Sequence, residues 1–152
     1  MQVYRLSRKK YADELSGIGA SRSGNRWNSK GTEIIYCADS RALAMAKVFV
    51  HISLTNLPKD FVMMEIDIPD IIKIQSLEEK DIMEDWNYFP HSYKTQKIGD
   101  TFIIENKYCI LKVPSAVVKG DFNYLLNPYH PDFKKIKILS FCKFPFDVRL
   151  FS

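Results

Sequence analysis

Residues 23–52 read SGNRWNSKGTEIIYCADSRALAMAKVFVHI, a polar glycine-bearing loop, a short apolar strand and a capped apolar helix. The loop holds Arg26, Trp27 and Asn28 between Gly24 and Gly31, so a cation and an aromatic ring sit where the backbone can bend. Ile34 to Ala38 reads as a buried strand that delivers Tyr36 to its end. Asp39 and Ser40 offer side-chain oxygens to cap a helix starting near Arg41. Leu43, Met45, Val48, Phe49 and Ile52 make that helix apolar almost all round, which predicts burial. Lys47 and His51 are its exceptions, four apart and so on one face. Loop, strand and helix therefore bring Arg26, Tyr36 and Lys47 towards one corner, the candidate site.

The totals are those of a folded chain. With 152 residues, 46% hydrophobic and 26% charged, the sequence has the length of one domain spanning 1–152 and enough apolar surface to bury a core. A net charge of +4 favours an anionic ligand. The Lys and Arg are scattered rather than striped, so direct nucleic-acid binding is not expected. Cys37, Cys109 and Cys142 are odd in number and widely spaced, which predicts neither a disulfide framework nor a metal site and fits a reducing cytoplasm. No apolar run approaches a membrane span and the N-terminus lacks a secretory apolar core, so a cytoplasmic location without membrane association is expected.

Outside the central unit, strands are predicted at Val3–Leu6, Phe61–Ile68 with alternating burial, Ile71–Ile74, Cys109–Val113, Tyr124–Leu126 and Ile136–Phe144. Tyr11–Leu15 offers a helical turn before a break at Gly17 and Gly19, and the central unit ends near Asn56, Leu57 and Pro58. Tyr93–Glu105 has helical spacing, with Gly99 weakening it by about 1 kcal/mol relative to Ala. Strands outnumber helices and do not alternate with them, so the fold class is α+β, with a mixed or antiparallel sheet and flanking helices. Neither common glycine-rich phosphate cradle is present.

Each candidate side chain has a plain alternative. Arg5 and Arg26 offer rigid forks for an anion such as phosphate, but an Arg in a polar loop is often a solvated charge. Tyr36 is suited to stack on a flat ring, its hydroxyl bonding a sugar or amide; on a buried strand it can be simple core. Lys47 and His51 can bind phosphate and move protons, or form the solvent-facing stripe of a buried helix. Ser115 follows Pro114 at a strand end, outside any nucleophile elbow, and reads as a donor to a substrate hydroxyl. His91 and His130 lie beside prolines without ligand partners and read as structural.

The order of blocks is more specific than any one of them. VYRL at 3–6, GNRWNSKGTEIIYCADSRALA at 24–44, TQKIGD at 95–100, VPSAVV at 113–118, NYLLNPYHPD at 123–132 and FPFDVRLF at 144–151 together resemble the RES family. That resemblance implies an ADP-ribosyltransferase-like fold and a toxin of a bacterial toxin–antitoxin pair, bound as a hetero-oligomer to an Xre-type helix-turn-helix antitoxin. It further implies NAD as substrate rather than cofactor, cut at the nicotinamide–ribose bond. Arg5 and Arg26 would clamp the pyrophosphate and Tyr36 would pack near the nicotinamide. Ser115 would bond a ribose hydroxyl or orient the carboxylate. Arg26, Lys47 and Ser115 are thus the catalytic positions, and Arg5, Arg26, Tyr36 and Ser115 those for NAD.

The sequence departs from the pattern at one of them. The family's ALAxxE block reads Ala42-Leu43-Ala44-Met45-Ala46-Lys47, placing an ammonium where the Glu belongs. Cleavage of an N-glycosidic bond develops a ribosyl cation that wants a carboxylate beside it. The expectation is therefore an impaired NAD-cleaving toxin, the alternative a non-catalytic protein of the same fold that binds or regulates its antitoxin. An RNA-cleaving toxin using His51, Lys47 and Arg26 is disfavoured, since no aromatic residues interleave a basic stripe.

Overall fold

Alternating apolar residues settle into strands in the computed structural model, which describes residues 1–52 and 58–151. The strands are β1 (Gln2–Arg8), β2 (Ile35–Ala38), β3 (Phe61–Asp67), β4 (Ile74–Ser76), β5 (Ile110–Pro114), β6 (Phe122–Leu126) and β7 (Lys137–Lys143). They form one sheet in the order β4-β5-β6-β2-β1-β3-β7. β4 and β5 run parallel and the remaining neighbours antiparallel, so the sheet is mixed and the fold α+β, as the sequence predicts. The helices are α1 (Ile18–Ser23), α2 (Arg41–Phe49) and α3 (Tyr93–Glu105).

Opposite faces of the strands feed different clusters. Val3, Ile35, Met64, Ile66, Ile110 and Leu126 pack on one side. On the other, Leu43 and Ala44 of α2 cover Leu6, Ala38 and Met63, while Phe102 of α3 meets Ile34, Leu111, Val113 and Leu125. Phe61 to Met64 is consequently buried on both faces, not half-buried as the alternation predicts, because α2 covers the side that would otherwise be wet. α2 itself is amphipathic rather than buried all round: only Leu43 and Ala44 are fully enclosed. Its cap is Ser40, whose Oγ accepts from the Leu43 N–H at 3.0 Å.

Other boundaries differ from expectation for local reasons. The turn at Tyr11–Leu15 is instead a 3-10 turn at Lys9–Tyr11, and α1 runs straight over Gly19, where a break was expected. Ile72 is held in a turn by its N–H to the Pro69 carbonyl (3.1 Å), so the strand starts only at Ile74. The expected end of the central unit at Asn56 and Leu57 lies outside the described residues.

Two features of the fold position the site. β1 and β2 meet at a single register pair, Tyr4 opposite Ala38, and then part. Beyond that pair the Arg5 guanidinium takes over, donating from Nη1 to the Tyr36 carbonyl at 3.0 Å. Secondly, α3 lies against the 24–31 loop so closely that a Cβ on Gly99 would stand 1.5 Å from the Trp27 carbonyl oxygen. Gly99 therefore fits the fold through its missing side chain, which outweighs its poor helix propensity.

Gly99→Ala should accordingly destabilise the protein by about 3 kcal/mol or more, since the helix must lift off the loop. Gly19→Ala, where nothing lies within 4 Å, should be neutral or stabilise by up to about 1 kcal/mol. Urea denaturation of the two variants measures the contrast; equal effects would place the Gly99 contact elsewhere.

Candidate functional site

The parting of β1 and β2 opens a cleft of about 880 Å³, a size that suits a small-molecule ligand. Its walls come from β1, β2, the 24–31 loop, α2 and the segment around Phe89. Arg5, Arg26, Tyr36, Lys47 and His51 all line it. The corner expected from loop, strand and helix is thus formed; Lys47, half-buried, and His51, exposed, both line the cleft.

The loop is hung from α3. Gln96 Nε2 donates to the Asn25 carbonyl at 3.1 Å, and the Ser29 N–H donates to Asp100 Oδ1 at 3.0 Å. The Ser29 hydroxyl also donates to Asp100 Oδ2. Asn28 is fully buried and its Nδ2 points at the carbonyls of Ala20 and Thr32, both at 3.0 Å. These bonds satisfy a buried amide and fix the loop's course.

Tyr36 is locked into the same network. Its hydroxyl donates to Asn28 Oδ1 at 2.6 Å and accepts from the Trp27 N–H at 3.1 Å. Burial, the larger cause, raises its pKa well above the ordinary phenol. The hydroxyl expected to meet a sugar or amide is therefore already paired, and Tyr36 presents its ring to the cleft. Lys47 Nζ stands over that ring, 5.0 Å from its centroid, within cation–π range.

The arginines are partly engaged. Arg26 Nη1 donates to the carbonyls of Trp86 (2.8 Å) and Tyr88 (3.0 Å), tying the 86–91 segment to the cleft's rim. Arg5 and Arg26 each keep further N–H groups for an anion, since a guanidinium carries five. Burial lowers the pKa of both.

Lys47 is an electrostatic anomaly. Part of its surface opens to the cleft, yet protein atoms crowd the ammonium. This desolvation, with the Arg5 charge adding to it and Cys37 opposing, brings its pKa down to about 8. Cys37, its own thiol pushed up to about 11 by burial, is uncharged at neutral pH and gives Lys47 no counter-charge then. Among the described residues lining the cleft, none is Asp or Glu.

Ser115 is placed differently from the other expected residues. It does not line the cleft; its Oγ accepts from the N–H groups of Val117 (3.1 Å) and Val118 (3.0 Å), shaping the turn that brings Ala116 and Val117 to the cleft wall. Asn123 and His91 are among the lining residues that were not expected at the site. Asn123 donates its amide to the Cys37 carbonyl at 3.2 Å, leaving Oδ1 as an acceptor. It stands first in the NYLLNPYHPD block, the one signal that pointed to it. His91, read as structural, also lines the cleft, its pKa lowered by desolvation first and then by Arg26 and His51. Nothing in its local sequence marks it. His130 does act structurally, its Nδ1 accepting from the Asp132 N–H at 3.0 Å. Among the described residues no cluster of His, Cys, Asp or Glu is arranged to hold a metal ion, and no helix is long and apolar enough to cross a membrane.

The model of the RES domain matches residues 2–148. The chain belongs to the RES domain family. A relative named "Toxin Res" from Photorhabdus laumondii is 38% identical over 152 residues, covering 99% of this chain and 97% of its own length. A "Prs ADP-ribosylating toxin" from Sphingobium sp. is 35% identical over 141 residues, 91% of this chain and 88% of that protein. In structure, this RES domain resembles a chain of the M. tuberculosis MbcT–MbcA toxin–antitoxin complex, with a TM-score of 0.76 at 21% identity, covering 95% of this chain and 84% of that one. At that identity the likeness is one of fold.

The lowered pKa has a consequence for stability. The unfolded chain holds the Lys47 proton up to its ordinary value of 10.5, the folded chain only to about 8. Between those values the unfolded state binds more protons, so Lys47's contribution to stability rises with pH. Lys47→Met should therefore be more stable than the parent at pH 7, by about 1–2 kcal/mol once water in the cleft is allowed for. The gap should close as pH approaches 10.5. Paired urea melts at pH 7 and pH 10 check this; a gap that does not move with pH would mean a well-solvated ammonium.

Proposed function

We propose that this chain is the toxin of a bacterial toxin–antitoxin pair built to break the nicotinamide–ribose bond of NAD, with turnover impaired by Lys47. The observation that carries the reading is the composition of the cleft: two arginines and an aromatic face suit a dinucleotide, and no described residue lining it is a carboxylate. The free N–H groups of Arg5 and Arg26 meet the pyrophosphate, and the Tyr36 ring packs against the nicotinamide. Asn123 Oδ1 accepts from the carboxamide or a ribose hydroxyl. Ser115 acts through the turn it holds, a positioning role. The relatives named as toxins support a toxin, and in this reading its partner is a helix-turn-helix antitoxin of the Xre type.

Binding and turnover depend on different groups here. Departure of nicotinamide leaves positive charge on the ribose, and only a group that stabilises that charge accelerates the step. An ammonium on α2 opposes it. At about 4 Å and an effective dielectric of about 20, one unit charge is worth about 4 kcal/mol before desolvation, enough to separate turnover from none. The same cationic cleft favours a second reading, a non-catalytic member of the family that engages its antitoxin through an acidic group.

Lys47→Glu decides between them. It should raise NAD consumption by purified protein about 100-fold or more and arrest growth when expressed without the antitoxin. Lys47→Gln removes the charge without supplying a carboxylate and should stay inactive. A folded Lys47→Glu protein that leaves NAD intact over hours would exclude this helix position from catalysis and favour the non-catalytic reading.

A further inference from the structure

Lys47 combines features that suit a reactive amine. It forms no salt bridge with any described residue. It lies in a cleft open to small molecules, beside a flat aromatic face, and Arg5 and Arg26 line the same cleft. We infer that Lys47 is a carbonyl-reactive amine, and that its cleft selects aldehydes that carry a phosphate or another strong anion. The anion sits on Arg5 and Arg26, any flat ring lies on Tyr36, and the carbonyl carbon faces Nζ. The inference holds whether or not NAD is the natural ligand.

The chemistry needs no partner beyond the aldehyde. The Nζ lone pair attacks the carbonyl carbon, and the C=O π pair moves to oxygen, which takes up a proton released by nitrogen. The resulting carbinolamine loses its hydroxyl as water with a proton taken from solvent in the open cleft. Nitrogen sheds its remaining proton to complete the C=N bond, so amine plus aldehyde gives imine plus water. A neutral amine is required. With a pKa of about 8, about a quarter of Lys47 is neutral at pH 7.5, against about one part in a thousand for a lysine at 10.5. A weaker base is also a weaker nucleophile, which trims that advantage to about tenfold.

Pyridoxal 5′-phosphate is the probe. The full chain is incubated with it at pH 7.5, the imine is trapped with borohydride, and the labelled lysines are mapped by peptide mass spectrometry. Lys47 should be labelled about tenfold faster than any other lysine, and pyridoxal without its phosphate should lose that preference. The fast labelling should also vanish in Lys47→Met. Label spread over surface residues such as Lys94 and Lys97 with no excess at Lys47 would overturn the inference. Equal preference for the phosphate-free aldehyde would overturn its anion selectivity. The map of the unaltered chain decides on its own, so a poorly folded variant leaves the test intact. Because no NAD is present, failure here is distinct from failure of the proposed function.

Discussion

Everything at the site depends on a sheet that stops pairing. β1 and β2 share one register pair, and the exchange of backbone hydrogen bonds that would zip them further is replaced by one guanidinium reaching the Tyr36 carbonyl. An unpaired buried carbonyl costs about as much as a lost hydrogen bond, so a split in a sheet needs such a substitute. Arg5 provides it and lines the opening it creates. The structural and ligand-facing duties of this side chain therefore cannot be separated by substitution.

The loop across the cleft is rigid for a different reason. It lacks regular secondary structure, but its backbone is held by Gln96 and Asp100 from α3 and by Asn28 from within. Tyr36 then joins loop to strand through both hydrogen bonds of its hydroxyl. The result is a preorganised wall that carries Arg26 and the Tyr36 ring. Lys47 stands over the Tyr36 ring at one side of it, its pKa lowered first by desolvation and further by the Arg5 charge.

How far the site could be read in advance followed the range of the interactions. The Ser23–Ile52 unit was legible because a loop, strand and capped helix are specified by neighbours in sequence, and with them the convergence of Arg26, Tyr36 and Lys47. α3 was legible to its ends from its spacing. Long-range packing was not. Gly99 read as a weak point of a helix because propensity is local, whereas its function is to admit the Trp27 carbonyl from 72 residues away by sequence number. The two-sided burial of β3 depended on where α2 came to rest. Ser115 was correctly placed at a strand end, but its hydroxyl's commitment to the Val117 and Val118 amides is a matter of turn geometry that residue type does not reveal. His91 reached the cleft through a segment tied down by Arg26, a contact no periodicity encodes.

The hanging of the 24–31 loop from α3 also sets an order of events during synthesis. The cationic residues of the cleft all lie within the first 52 residues apart from His91, but the helix that shapes their loop spans Tyr93–Glu105, and β6, the neighbour that pins β2, ends at Leu126. Contacts of such separation close only after the distant segment exists. A ribosome-bound chain thus carries most of the charged groups long before it carries a binding surface, and a fragment truncated ahead of α3 retains the chemistry without the shape. The cleft is complete only once residues through Leu126 have emerged.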